Sequence, residues 1–211
     1  LTDISVIVRN KVLAAAATSL LQQRRRCESV YQLMNSETAR INYNRVLENL
    51  HALKQFYKHY NVISIIDGAN GEVVISTYPD IVGKTLSSFN SYIDVLNNQD
   101  VAVKDVYTSE LMGQNWMTYY CPVLMTDTLT LESSDVIIGV ILLDVNVNNS
   151  VDPLIHSWPG MGKTGETLLV RREGDNIVYL NDLRHKQGAA LKFTSPIRST
   201  LDIPSVLSSR G

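Results

Sequence analysis

Asp144 is the residue of this chain best placed to do chemistry. It interrupts the most hydrophobic segment, residues 136–147, which reads as a β-strand, where a carboxylate is disfavoured. Side chains alternate along a strand, so Val140, Leu142, Asp144 and Asn146 share one face and Ile141, Leu143 and Val145 the other. The all-apolar face calls for a helix packed upon it, which turns Asp144 toward a pocket on the opposite side. A buried carboxylate is costly unless a donor answers it, so it is kept for a donor from protein or ligand. The plain alternative is an Asp at the sheet rim, and periodicity by itself does not choose between the two.

Other chemistries fail on spacing. Gly83-Lys84-Thr85 and Gly162-Lys163-Thr164 invite a phosphate-loop reading, but that loop needs a Gly five residues before the Gly-Lys pair. Tyr78 and Ser157 stand there instead, and the second triplet runs into a strand, which leaves no helix N-terminus for phosphates. None of His51, His59, His156 and His185 forms a metal-spaced pair. Cys27 and Cys121 are too few and too far apart for a disulfide framework or a metal site, and read as small hydrophobes. There is no Gly-x-Ser-x-Gly elbow. These readings predict no catalytic residue, no metal and no cofactor.

The elements that would position Asp144 fall in a clear order. Residues 1–60 contain neither Gly nor Pro and include Ala14-Ala15-Ala16-Ala17, which predicts one very long helix or two in succession, the second capped by Ser36. Val46, Leu50, Leu53, Tyr57 and Tyr60 step by four and three, as in a stalk or coiled coil. Within this stretch Arg24-Arg25-Arg26 reads as a solvated helix face rather than a phosphate or lipid site. From Asn61 the character changes. Residues 62–66 and 73–76 flank Asp67-Gly68-Ala69-Asn70-Gly71 and predict a hairpin. A short helix near residues 92–98 and strands near 101–106, 116–125 and 136–147 follow, an α+β antiparallel sheet with the long helix on one face. A second cycle opens with a short helix near 151–158 and a hairpin, residues 167–171 and 177–180 around Gly174-Asp175-Asn176; no strong strand is visible after Leu180.

Composition bounds the rest. The chain has 211 residues, room for one large domain or two small ones, and 45% hydrophobic residues, enough for a core. Lys plus Arg number 19 against 21 Asp plus Glu, which argues against nucleic acid. No apolar run approaches a membrane span and no signal peptide opens the chain; a start at Leu1-Thr2-Asp3 reads as a piece of something longer.

Gly162-Lys163-Thr164-Gly165-Glu166-Thr167-Leu168-Leu169-Val170, continuing through Asn176–Asn181 to Leu183-Arg184-His185, closely resembles the membrane-proximal half of double-Cache sensor domains. Ile66-Asp67, Gly71, Gly83-Lys84-Thr85, Asp105-Val106-Tyr107, Cys121-Pro122-Val123 and residues 138–144 resemble the membrane-distal half. The resemblance implies an α+β fold in which a long N-terminal helix carries tandem PAS-like (Cache) antiparallel sheets, the second truncated. The corresponding divisions are residues 1–60 for the helical stalk, 61–149 for the distal sensor unit and 150–211 for a partial proximal unit.

It further implies the extracytoplasmic (periplasmic) sensing part of an inner-membrane receptor such as a sensor histidine kinase, itself not an enzyme. Its partners would be a small molecule, the membrane through flanking segments, and a second copy through the N-terminal helix. Alternatives are a ligand-free dimerisation module, or the sensor of a chemoreceptor or diguanylate cyclase. In amino-acid-binding relatives the residue matching Asp144 receives the ligand's ammonium group, and Tyr107 and Ser109 match polar pocket positions. The strand at 116–121 alternates Trp116, Thr118 and Tyr120 against Met117, Tyr119 and Cys121, and Met117 with Tyr119 is the set taken to line the pocket. Those relatives clamp the ligand carboxylate with an Arg and a Trp shortly before a Tyr. Here the stretch is Phe89-Asn90-Ser91-Tyr92-Ile93, with only Tyr92 kept. Without the guanidinium fork, a cationic or neutral small molecule held by Asp144, Tyr92, Tyr107 and Tyr119 fits better than an α-amino acid.

Overall fold

The computed structural model describes residues 2–86, 90–98, 100–109, 111–150, 167–183, 186 and 188–197. The helix expected near 151–158, the Gly162-Lys163-Thr164 triplet, Arg184-His185 and Phe89 lie outside them. The chain divides into two compact units, residues 1–105 with 117–145 and residues 106–116 with 146–211.

The Gly-free first 60 residues do not make one long helix. They form α1 (Thr2–Val8), α2 (Lys11–Arg24), α3 (Val30–Leu33) and α4 (Glu37–Phe56). The breaks fall at side chains that compete for backbone amides. Asn10 accepts from the Leu13 N–H at 3.0 Å, Ser29 from Gln32 at 3.2 Å and the expected Ser36 from Ala39 at 3.4 Å. So cut, the chain turns back and α2 packs against α4. The stripe on α4 is consumed internally: Val46 and Leu50 are fully buried, Tyr60 nearly so, and Leu53 and Tyr57 pack at the edge of the same core. A heptad-like pattern marks an apolar face without naming what covers it; here it is the protein's own sheet.

That sheet has five antiparallel strands in the order β2-β1-β5-β4-β3, where β1 is Val62–Asp67, β2 Val73–Ser76, β3 Ala102–Thr108, β4 Asn115–Thr126 and β5 Ser133–Asn146. Helix α5 (Asn90–Asn98) precedes β3. The predicted hairpin is present, with Ser64 opposite Ser76 and Ile65 opposite Ile75. On the other side of β1, Ile63 faces Leu143, Ile65 faces Ile141 and Val62 faces Asp144. The faces of β5 separate as its period requires. Ile141, Leu143 and Val145 join Ile63, Ile65, Cys121 and Val123 in one core with Ile7, Leu13, Leu20 and Leu21 of the first helices. Burying side chains of this size stabilises by about 1.5–3 kcal/mol each.

In the second unit α6 (Val147–Ser150) precedes the expected hairpin, β6 (Val170–Glu173) with β7 (Asn176–Tyr179). A third strand that the sequence does not predict, β8 (Thr194–Pro196), pairs on the far side of β7 and makes the order β6-β7-β8. Thr-Ser-Pro carries no strand signal of its own, and Pro196 is tolerated because β8 has one hydrogen-bonded neighbour among the described strands.

One glycine sets how closely α2 approaches the sheet. A Cβ on Gly139 would lie 2.6 Å from the Ile66 carbonyl oxygen and 2.6 Å from Leu21 Cδ1. The leucine could swing aside but the carbonyl belongs to the β1 ladder. Gly139→Ala is therefore expected to lower unfolding free energy in urea by about 1–3 kcal/mol. A change under about 0.3 kcal/mol would mean that α2 does not press on β5 as described.

Candidate functional site

The basic run at the end of α2 is solvated only in part: Arg26 is exposed and Arg25 41% exposed, but Arg24 is buried and both Arg24 and Arg25 are tied to acids of the hairpin. Arg24 reaches Glu72 at 2.6 Å with both side chains about nine-tenths buried (10% and 11% exposed), and Arg24 Nη1 donates to the Cys27 carbonyl at 2.7 Å. Arg25 forks onto Asp67: Nε lies 3.1 Å from both carboxylate oxygens, and Nη2 2.6 Å from Oδ1 and 2.9 Å from the Ile138 carbonyl. The Asp67 hydrogen bonds raise the Arg25 pKa above its ordinary value against the opposing pull of burial. Asp67 is 2% exposed and also accepts from the Ala69 amide at 2.8 Å. The sequence hid this because the partners stand 42 residues apart. Local charge patterning cannot see across that distance.

Asp144 is the other buried carboxylate of the sheet, 2% exposed, on the face opposite the apolar Ile141, Leu143 and Val145. The Thr118 hydroxyl donates to its Oδ1 at 2.6 Å. Burial pushes its pKa up from 3.8 to about 7, and the Thr118 hydrogen bond offsets only part of that. Around it on the same face are Val62, Ser64 and Leu142, with Ser64 Oγ donating to Ser76 Oγ at 2.8 Å. No basic side chain stands among these residues, in contrast to Asp67.

Thr118 on the Asp144 face fixes the parity of β4. Thr118 and Tyr120 belong there, both buried, while Met117 and Tyr119 pack with the helix-side core and Tyr119 meets Tyr60 edge-on at 6.4 Å. Met117 and Tyr119, expected to line the pocket, thus lie on the face opposite Asp144. Both faces of this strand are amphipathic in composition, so alternation gave two sets but not their sides.

Tyr92 is buried on α5, and its hydroxyl donates to the carbonyls of Gly68 at 2.9 Å and Asp67 at 3.2 Å. Burial, with Asp67 nearby, raises its pKa. That proton is committed to the β1–β2 turn. Tyr107 and Ser109 belong to the second unit. Tyr107 is half-buried on β3, and Ser109 shapes the turn into β4, its hydroxyl accepting from the Met112 amide at 3.1 Å. In that unit Asn146 Nδ2 also donates to Gln114 Oε1. So the structure brings Asp144 and Thr118 together, places Tyr92 on the turn behind β1, and puts Met117 and Tyr119 on the opposite face.

Open grooves of about 370 Å³, between α2, α4 and the β4–β5 turn, and about 320 Å³, beside Thr126, mark the first unit, and one of about 260 Å³ marks the second. Asp144 lines none of the three. Among the described residues no cluster of three His, Cys, Asp or Glu side chains could hold a metal ion, and no helix is long and apolar enough to cross a membrane. Cys121 is fully buried and its thiol is pushed up to about 12 by burial, which leaves it inert as a nucleophile.

The Asp144 environment has a signed consequence for stability. The folded protein keeps this proton up to about pH 7, whereas an unfolded Asp releases it near 3.8. The stability that the neutral carboxyl confers is therefore complete below about pH 4 and drains away as the pH rises to about 7. Relative to Asp144→Asn, the wild type is expected to lose up to about 4 kcal/mol over that window, at about 1.4 kcal/mol for each step of one in pH. Urea unfolding of both proteins from pH 4 to 8 measures it; a difference that stays flat with pH would contradict the buried, uncharged Asp144.

No protein-family model matches the chain, and no curated protein matches it in sequence. Its fold does have solved counterparts. The extracellular domain of the putative histidine kinase mmHK1S-Z2 superimposes with a TM-score of 0.51 at 11% identity, covering 79% of this chain and 65% of that one. The sensor domain of the V. cholerae histidine kinase DctB gives 0.45 at 13% identity, over 63% of this chain and 47% of that one. The ligand-binding domain of the Campylobacter jejuni chemoreceptor Tlp3, solved with 4-methylisoleucine, gives 0.45 at 16%, over 76% and 66%. The chain spans less than half of the DctB domain and 30% of an extracellular ligand binding receptor from Desulfohalobium retbaense that it also matches. The chain thus shares its fold with the extracellular domain of the putative histidine kinase mmHK1S-Z2.

Proposed function

We propose that this chain is the extracytoplasmic small-molecule sensing domain of a transmembrane signalling receptor, such as a sensor histidine kinase, and that its ligand is held at Asp144. The observation that carries the reading is a buried carboxylate answered by a hydroxyl where the same sheet answers its other buried carboxylate with a guanidinium. Burying a carboxylate without a cation costs stability, and a fold that bears this cost has a use for the group. The sensor fold supports the setting.

The ligand in this reading presents a positive or hydrogen-bond-donating group to Asp144. The tyrosine cage expected from the sequence is set aside, because the Tyr92 hydroxyl is tied to the turn and Tyr119 lies on the helix side. The carboxylate of an α-amino acid also lacks its guanidinium clamp in the 89–93 stretch. Small amines and neutral polyols are therefore better candidates than amino acids. In the receptor, ligand binding would favour one of two packings of sheet against helices, by as much as its affinities for them differ.

A thermal-shift screen with amines, amino acids, organic acids and polyols, followed by calorimetry, tests this. Amines are expected among the hits, with affinity lost at least about tenfold in Asp144→Asn, which is about 1.4 kcal/mol. Hits confined to organic acids and unaffected by Asp144→Ala would overturn the assignment. A screen without hits, together with a tight dimer in sedimentation, would favour a ligand-free dimerisation module instead.

A further inference from the structure

Asp67 joins three elements that are distant in sequence. Its carboxylate receives the Arg25 fork from the C-terminal end of α2. Its backbone carbonyl, with that of Gly68, receives the Tyr92 hydroxyl from α5. The same guanidinium reaches the Ile138 carbonyl, and the Gly68 amide donates to that carbonyl at 3.0 Å, so the turn and α2 grip one atom of β5. There is no slack: a Cβ on Gly68 would lie 2.9 Å from that oxygen. Arg24 with Glu72 closes the far side of the turn, again nine-tenths buried.

This geometry differs from ordinary core packing. Apolar contacts slide and re-form at little cost, whereas a forked ion pair and a shared carbonyl hold only over a narrow range of positions. α5 and the end of α2 each touch the same five-residue turn through one directional side chain. A displacement of α5 must strain the turn, release Tyr92, or carry the Arg25 end of α2 with it.

We propose that the Asp67 turn is a mechanical coupling between α5 and the C-terminal end of α2, with Arg25 and Tyr92 as positioning residues on its two arms. The proposal rests on the sensing reading only for its purpose, the passage of a change at the sheet to the helices. The coupling itself belongs to the ligand-free protein and is reciprocal, since each arm must bias the other equally.

Hydrogen–deuterium exchange on the purified, ligand-free chain tests it. Arg25→Met is expected to speed exchange of amides in residues 90–98 by about tenfold or more, and Tyr92→Phe to do the same for residues 20–27, while β4 amides stay within about twofold. Val46→Ala, in the core away from the turn, supplies the pattern of general destabilisation. An Arg25→Met profile that matches it element for element overturns the proposal, as does an unchanged 90–98 segment. Arg25→Lys keeps the charge and loses the fork; it is expected to give a smaller rise confined to 90–98, and it carries the test by the same criteria if Arg25→Met fails to fold. Because no ligand is used, a fruitless ligand screen sinks the sensing reading and leaves this result standing, and the reverse holds as well.

Discussion

The bond between Arg25 and Asp67 is the constraint on which the rest of the first unit depends. Asp67 ends β1 where the hairpin turn begins and is almost without solvent. Left alone, its charge would cost several kcal/mol, and removing a partner from such a pair costs about 3–5 kcal/mol because the remaining ion is stranded. The partner must therefore come from outside the strand, and the end of α2 supplies it. Once Arg25 is fixed, Leu21 one turn earlier is set against Gly139, and the apolar stripe of α2 is laid over β1 and β5. Hydrophobic burial supplies most of the stabilising free energy, but it is non-directional and fits many sliding registers. The fork selects one.

The same sheet carries a second buried acid, and the contrast between the two is informative. Asp67 has a guanidinium, a backbone amide and an oriented turn. Asp144 has a threonine hydroxyl, and its pKa rises accordingly to about 7. Both lie within strands of one sheet and are equally inaccessible, so burial alone does not separate them. What separates them is whether evolution of the fold provided a cation. A carboxylate satisfied within the chain is structure, and one left with a single neutral donor is the better candidate for a site.

Much of this organisation is legible in the sequence. The Asp67–Gly71 turn announces the hairpin, the β-branched runs announce the strands, and the period of two sorts Asp144 from Ile141, Leu143 and Val145, because one of those faces is wholly apolar. Parity fails on β4 for the complementary reason. Trp116, Thr118 and Tyr120 differ little in character from Met117, Tyr119 and Cys121, so composition offers no preference for either side. Arg24 and Arg25 mislead because their acidic partners lie on the hairpin, 42 residues along for Arg25, and a free helix face and one engaged in ion pairs look alike in one dimension. The helix breaks at Asn10 and Ser29 escape notice because neither Gly nor Pro marks them; only the caps do. β8 is invisible since its pairing with β7, not its residues, makes it a strand.

The position of the Asp144 pKa bears on what kind of partner the site suits. Ionising a group with a pKa of about 7 at neutral pH costs under about 1 kcal/mol, so a cationic ligand of the proposed kind would meet a carboxylate that is nearly free to charge. Burying the acid more deeply, so that its proton were held about a hundredfold more tightly, would add about 3 kcal/mol to every binding event. Exposing it would remove that cost but also return the Coulomb attraction to its weak value in water, about 1 kcal/mol at about 4 Å. The Thr118 hydrogen bond holds the acid between these limits, since it lowers a pKa that burial alone would carry further up. A neutral donor needs no ionisation and gains correspondingly less. For a ligand bound at Asp144 as proposed, the threonine would set the affinity through the acid's ionisation without touching the ligand.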